Sequence, residues 1–272
     1  MLKRSITGII FVVVLLFAII YHPALFFILF LLITFVGLNE FYSIAQKAGF
    51  NIQKTAGISA GMIVFILITG FELFDFIEVK FLSLGLLVPF IIFIAELYRK
   101  SPSPLANIAL SLMGIFYVAV PFALLSFFII SVEESIGGNY NPSILLGYFF
   151  LIWTNDTGAY LAGKSMGKRK LFERLSPKKT WEGAAGGLIL ALGVAYLLSL
   201  FYEELSIVNW LIIAAIVVIT GNLGDLTESM FKRHVEIKDS GNILPGHGGI
   251  LDRFDAVLIS APFVWIYLTL IS

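Results

Sequence analysis

Along this chain, long apolar stretches alternate with short polar joints. A membrane-spanning helix needs about 20 mostly apolar residues. The pattern predicts nine, over roughly 5–21, 23–45, 55–71, 80–97, 105–131, 142–163, 181–202, 206–233 and 250–271. The first two are joined only by Tyr21, His22 and Pro23, a joint short enough for a tight hairpin or for one re-entrant helix. No internal repeat and no low-complexity linker interrupts the series. The expected fold class is therefore all-α: a polytopic integral membrane protein with about nine transmembrane helices.

Composition agrees with the pattern. The 272 residues are 59% hydrophobic and 13% charged, against about a quarter charged in soluble domains, and the mean hydropathy is +0.96. There is no cysteine, which excludes a disulfide framework and a thiolate metal site. Met1–Arg4 followed by an apolar run resembles a secretion signal, but no small-residue cleavage site precedes Tyr21-His22-Pro23, so the run is read as a retained first helix.

Net charge is zero, yet the charges are unevenly distributed. Placing the N-terminus in the cytoplasm and alternating sides puts 17 of the 18 basic residues inside, and only Lys80 outside. Basic residues gather on the cytoplasmic side of membrane proteins, so the pattern predicts a cytoplasmic N-terminus and, with nine helices, an outside C-terminus. The inside loop 164–180 carries Lys164, Lys168, Arg169, Lys170, Arg174, Lys178 and Lys179 against Glu173 alone, a balance of +6. Such a loop can anchor on anionic lipid or hold a polyanion such as a triphosphate. Within it, Ser176-Pro177-Lys178-Lys179-Thr180-Trp181-Glu182-Gly183 reads as a helix start with Thr180 as N-cap. Backbone N–H groups at such an end bind phosphate.

Acids and amides also enter the apolar segments. Asn155 and Asp156 lie near the end of the sixth, with Tyr160 on the face of Asp156. The eighth carries Asn222, Asp225, Glu228, Ser229 and Lys232 along one stripe, with Gly221 and Gly224 allowing close approach. Asp252 and Asp255 open the ninth, three residues apart. A single such acid is most simply a paired or interfacial carboxylate. Several on one side of a membrane, beside basic loops, mark a function. Carboxylates with phosphate oxygens suit Mg²⁺. His234 and His247 are too few and too far apart in sequence for a zinc site, and His22 receives no role.

The segment 229–255 is the most polar of the chain. Its Ser229, Phe231, Lys232, Arg233, Lys238, Asp239, Gly241, Pro245, His247, Gly248, Gly249, Asp252, Arg253 and Asp255 resemble the signature of CDP-diacylglycerol synthases, the phosphatidate cytidylyltransferases. Asn155–Tyr160, Ser176–Gly183 and the run from Gly221 to Ser229 resemble the same family, and Asn39-Glu40-Phe41 is a weak echo of it. The resemblance implies a reaction of CTP with phosphatidic acid that gives CDP-diacylglycerol and pyrophosphate, with Mg²⁺ and a possible second cation. It implies catalytic roles for Asp225, Asp252, Lys232, Arg233 and Asp255, with Asp225, Asp252 and Asp156 as metal ligands. It implies substrate binding by Asn155, Ser176, Lys178, Lys179, Thr180, Lys238, Asp239, His247, Gly248, Gly249 and Arg253. Asp225 and Asp252 are expected to meet as the loop between them folds back.

The resemblance also implies an inner-membrane protein whose partners are CTP, phosphatidic acid and membrane lipid, with no nucleic acid, and a homodimer as one expected assembly. Residues 142–272 are read as the catalytic core. Residues 1–141 are read as scaffold, lipid-entry wall or oligomer contact. A transporter would place polar residues in the outer halves of several helices, where this chain is apolar. A CTP-dependent lipid kinase would not need the unbroken signature, and a membrane scaffold would not need the acids.

Overall fold

The computed structural model of the chain describes residues 2–74, 78–129, 140–243 and 248–272, and of residues 2–6 the backbone alone. Nine helical stretches lie among the described residues, one on each apolar run: α1 Leu2–Tyr21, α2 Pro23–Lys47, α3 Lys54–Phe74, α4 Val79–Leu97, α5 Pro104–Phe128, α6 Ser143–Met166, α7 Trp181–Phe201, α8 Ile207–His234 and α9 Leu251–Ile271. Seven of them are long and apolar enough to cross a bilayer. The other two are α1, whose apolar part is Thr7–Tyr21, and α6, which carries Asn155, Asp156 and Lys164. The chain is an all-α, polytopic integral membrane protein apart from one small hairpin.

That hairpin was not foreseen. The basic loop folds into β1 Lys170–Phe172 and β2 Ser176–Thr180, an antiparallel pair that runs directly into α7. Leu175 at its turn is buried while Lys170, Arg174 and Lys178 around it are exposed. Elsewhere local chemistry places the ends. Pro23 starts α2, and His22 caps it by accepting a hydrogen bond at Nδ1 from the Ala24 amide, 3.1 Å away. His22 therefore has a structural role the sequence reading did not assign. In α5 the turn Ile115–Ala119 widens to π geometry just before Pro121, where a missing N–H and a ring clash disturb the regular ladder.

The chain packs as two compact units: residues 1–126 with 231–254, and residues 127–230 with 255–272. The division expected from the sequence, 1–141 and 142–272, is one of role; packing assigns the loop 235–250 and both its helix ends to the N-terminal unit.

In the first unit, Phe30, Phe122 and Phe254 form a buried cluster of edge-on rings, with Phe254–Phe122 centroids 5.2 Å apart. A buried carboxylate, Glu96, is met by Gln53 Nε2 at 2.7 Å, Asn107 Nδ2 at 3.0 Å and Arg99 Nη1 at 2.9 Å. Three donors on one carboxylate satisfy a charge that would otherwise be expensive to bury.

In the second unit, α6 and α7 approach through small residues. A Cβ on Gly158 would lie 2.9 Å from the Gly186 carbonyl oxygen. Trp210 of α8 is fully buried, its ring seated where Gly147 of α6 has no side chain. Tyr148 and Ser260 share a hydrogen bond of 2.6 Å between α6 and α9. A Cβ on Gly224 would press on the backbone carbonyl of Asp255, so this glycine is what lets α8 and α9 run close enough to bring Asp225 and Asp255 into one neighbourhood.

Candidate active site

In the second unit a cleft of about 270 Å³ is lined by Asp156 and Tyr160 of α6, Lys178 and Lys179 of β2, Gly183 of α7, and Asn222 and Asp225 of α8. The hairpin sets the basic wall. Glu182, in the first turn of α7, accepts from the backbone amides of Lys168 at 3.0 Å and Arg169 at 3.1 Å, and the Trp181 amide donates to the Arg169 carbonyl. Thr180 Oγ1 accepts from the Gly183 amide at 3.1 Å, the N-cap its position in the sequence predicts. Lys179 is thereby held at the cleft, half-buried, with its Nζ 2.5 Å from Asp225 Oδ2.

Asp255 adds a third carboxylate. It lies within electrostatic reach of Asp225, Asp156 and Lys179. Three acids thus gather about one closely placed lysine, in a unit otherwise built from apolar helices. Asn155 lies one residue before Asp156, 3% exposed. Its Oδ1 occupies the notch left by Gly187 and has no hydrogen-bond partner among the described residues. Ser176 is half-buried on β2 and Lys178 is exposed.

The first unit holds the other group of expected site residues. Asp252, in the first turn of α9, is almost enclosed by donors. Lys232 Nζ lies 2.6 Å from Oδ1, while the Ser240 amide (2.8 Å), Ser240 Oγ (2.9 Å) and the Gly249 amide (2.8 Å) meet Oδ2. Gly248 has φ +82, and a Cβ there would press on the Asp252 carboxylate, so both backbone and space call for glycine. The loop begins where α8 ends in a left-handed turn at Glu236, φ 56, with the Glu236 amide bonded to the Arg233 carbonyl and the Ile237 amide to that of Lys232. Arg233 Nη1 donates to the Ile237 carbonyl at 3.1 Å. Lys238, Asp239 and Arg253 are exposed, and His247 lies outside the described residues. Asp225 and Asp252, expected to meet, belong to different compact units.

Sequence reasoning gave Glu40 no role beyond a weak echo of the family. This residue of α2 is 4% exposed, and its carboxylate accepts from the Ile250 amide, the Leu251 amide and Ser240 Oγ, each at 3.0 Å. The signal was present: an ionisable side chain inside an apolar helix is costly and marks a purpose.

For a metal, the donor chemistry of the second unit fits a hard cation. Asp225, Asp156 and Asp255 offer carboxylate oxygens there. Among the described residues no three histidine or acidic side chains form a ready cage. Mg²⁺ needs none, because it takes one or two carboxylates and completes its shell with water and substrate phosphates.

Residues 2–271 match the model of the cytidylyltransferase family. Over 123 residues the chain is 51% identical to the phosphatidate cytidylyltransferase of Bacillus subtilis (strain 168), covering 45% of this chain and 46% of that protein. Over 181 residues it is 41% identical to the phosphatidate cytidylyltransferases of Staphylococcus saprophyticus and Staphylococcus aureus (strain COL), covering 66% of each chain. These alignments span from just under half to just under two thirds of the relatives' own length.

Proposed function

The chain belongs to the cytidylyltransferase family, and we propose that it transfers the cytidylyl group of CTP to phosphatidic acid, releasing pyrophosphate and leaving CDP-diacylglycerol in the membrane. The observation that carries this reading is the cleft itself, where Asp156 and Asp225 from two helices face Lys178 and Lys179 from the hairpin. A surface that only anchored on lipid headgroups would need the lysines without the acids.

An oxygen of the lipid phosphate attacks the α-phosphorus of CTP. The bond from that phosphorus to the bridging oxygen of the β-phosphate breaks, and pyrophosphate carries the charge away. The attacking phosphate is already ionised, so no general base is required. Catalysis then rests on holding two polyanions together and offsetting their charge. Lys178, Lys179, Lys232, Arg233 and Arg253 bind phosphates. Ser176, Thr180 and Asn155 help to seat the nucleotide. Lys238, Asp239, His247, Gly248 and Gly249 would bind the nucleotide, with backbone amides approaching phosphate oxygens. Asp225, Asp156 and Asp252 are the residues that would hold Mg²⁺; when bound, the ion would supply charge neutralisation on the triphosphate, and a second cation would share that task. Lys179 leaves Asp225 for a phosphate as substrate enters. Lys232, held on Asp252 Oδ1, would turn to a phosphate in the same way.

The proposal includes nine spanning helices with the N-terminus inside, the C-terminus outside, and the chemistry at the cytoplasmic face of the inner membrane. What supports this is the gathering of basic residues on one side of the predicted series. Residues 142–272 act as the catalytic part, with 1–141 as scaffold or lipid-entry wall.

The direct test is pyrophosphate release by purified protein in lipid–detergent micelles. Release is expected only when CTP, phosphatidic acid and Mg²⁺ are all present, and chelation with EDTA should abolish it reversibly. Formation of CDP together with a newly phosphorylated lipid would point instead to a CTP-dependent lipid kinase.

A further inference from the structure

We propose that Glu40 is a positioning residue for the loop that carries Asp252, and that through this loop it sets the protein's grip on the nucleotide. The inference rests on the cytidylyl-transfer reading for its kinetic consequence and on geometry for its placement.

Glu40 is a carboxylate of α2 whose partners lie 200, 210 and 211 residues further along the chain. Oε1 accepts from the Ile250 amide, and Oε2 from the Leu251 amide and Ser240 Oγ. The amides of Ile250 and Leu251 stand at the start of α9, where N–H groups lack partners within the helix and attract negative charge. One side chain therefore caps the helix that bears Asp252.

The same side chain fixes the loop from its other end. Ser240 Oγ sits 3.0 Å from Glu40 Oε2 and 2.9 Å from Asp252 Oδ2, so one hydroxyl lies between the two carboxylates and can give its single hydrogen to either. Side chains at Gly241 or Gly249 would collide with the Glu40 carboxylate, so the loop closes around it without room for any. Ser240, Gly249 and Lys232 are in turn the residues that meet Asp252. Moving Glu40 therefore disturbs the whole set.

The experiment compares wild type with Glu40→Gln and Glu40→Ala in nanodiscs, by backbone hydrogen exchange, melting temperature and steady-state kinetics. Gln keeps the shape and one oxygen but turns an –NH₂ toward an N–H donor, so it keeps the protein folded if Ala does not. Faster exchange at Ile250 and Leu251 is expected in both variants. A kcat lower by about a hundredfold in Glu40→Ala is expected, the scale for a misplaced catalytic group. The KM for CTP should rise while that for phosphatidic acid holds. Glu40→Gln should lie between Ala and wild type, with a melting temperature near wild type. A loss of folded protein alone would lower kcat and the melting temperature and leave both KM values unchanged; that result overturns the proposal. So does wild-type exchange at Ile250 and Leu251 in Glu40→Gln, or faster exchange with wild-type kinetics. The exchange measurement needs no substrate, so it decides the placement of Glu40 even if the chain proves to catalyse another reaction.

Discussion

Asp225 and Asp252 carry the same functional group in opposite settings, and their substitutions should separate accordingly. Asp225 is about one third exposed, bonded to Lys179 at 2.5 Å and to Ser229 Oγ at 3.3 Å. Asp252 is 7% exposed and takes four donors. Asp225→Asn should cost about 10²–10³-fold in incorporation of labelled CTP into lipid, the scale of one lost electrostatic group at a reacting phosphate, with little change in melting temperature. Asp252→Asn should lose activity as far and also lower the melting temperature, because it weakens the ion pair with Lys232 and the contacts from Ser240 and Gly249 that hold the loop. Near-normal incorporation in both variants would remove the metal-ligand assignment. Both residues were legible in the sequence as acids inside or at the mouth of apolar runs. Glu40 was not given a role, because the donors that explain it lie more than 200 positions away and no local pattern connects them.

Helix ends and crossings decide whether these side chains reach their places. The contact of α6 with α7 depends on glycine, and a Cβ at Gly187 would overlap Asn155 Oδ1 and lie 2.9 Å from the Asn155 carbonyl oxygen. Gly187→Ala should therefore destabilise the protein by about 1–3 kcal/mol, the usual cost of overpacking, and should reduce activity more than a surface alanine on the same helix. Thermal melting in detergent beside the pyrophosphate assay measures both. Nine helical stretches were legible because each apolar run is long and bounded by Gly, Pro or charge. The hairpin was not, because Lys170–Thr180 has no alternating apolar face and contains Pro177. Its shape comes from Glu182 holding the amides of Lys168 and Arg169, a tertiary constraint on a strand of weak intrinsic preference.

At the scale of the whole molecule, orientation is the open quantity the sequence speaks to most directly. The absence of cysteine makes single-cysteine labelling clean. With a membrane-impermeant maleimide on spheroplasts, Glu78→Cys should be labelled from outside and Arg174→Cys only after permeabilisation; the inverse pattern would reverse the proposed topology. The two compact units show a limit of reading a chain in order. Residues 231–254 pack with the N-terminal helices, and no hydropathy profile marks that return. The return also has a meaning in time. Ribosomes add about 5–20 residues per second, so a new chain waits on the order of ten to forty seconds between the appearance of Glu40 and that of Ile250 and Leu251. During that interval a carboxylate sits in a greasy helix with none of its final partners yet made. Nascent α2 must be tolerated by the insertion machinery in that unfinished state, and a ribosome stalled before residue 250 leaves a product that quality-control proteases can recognise by its orphan charge.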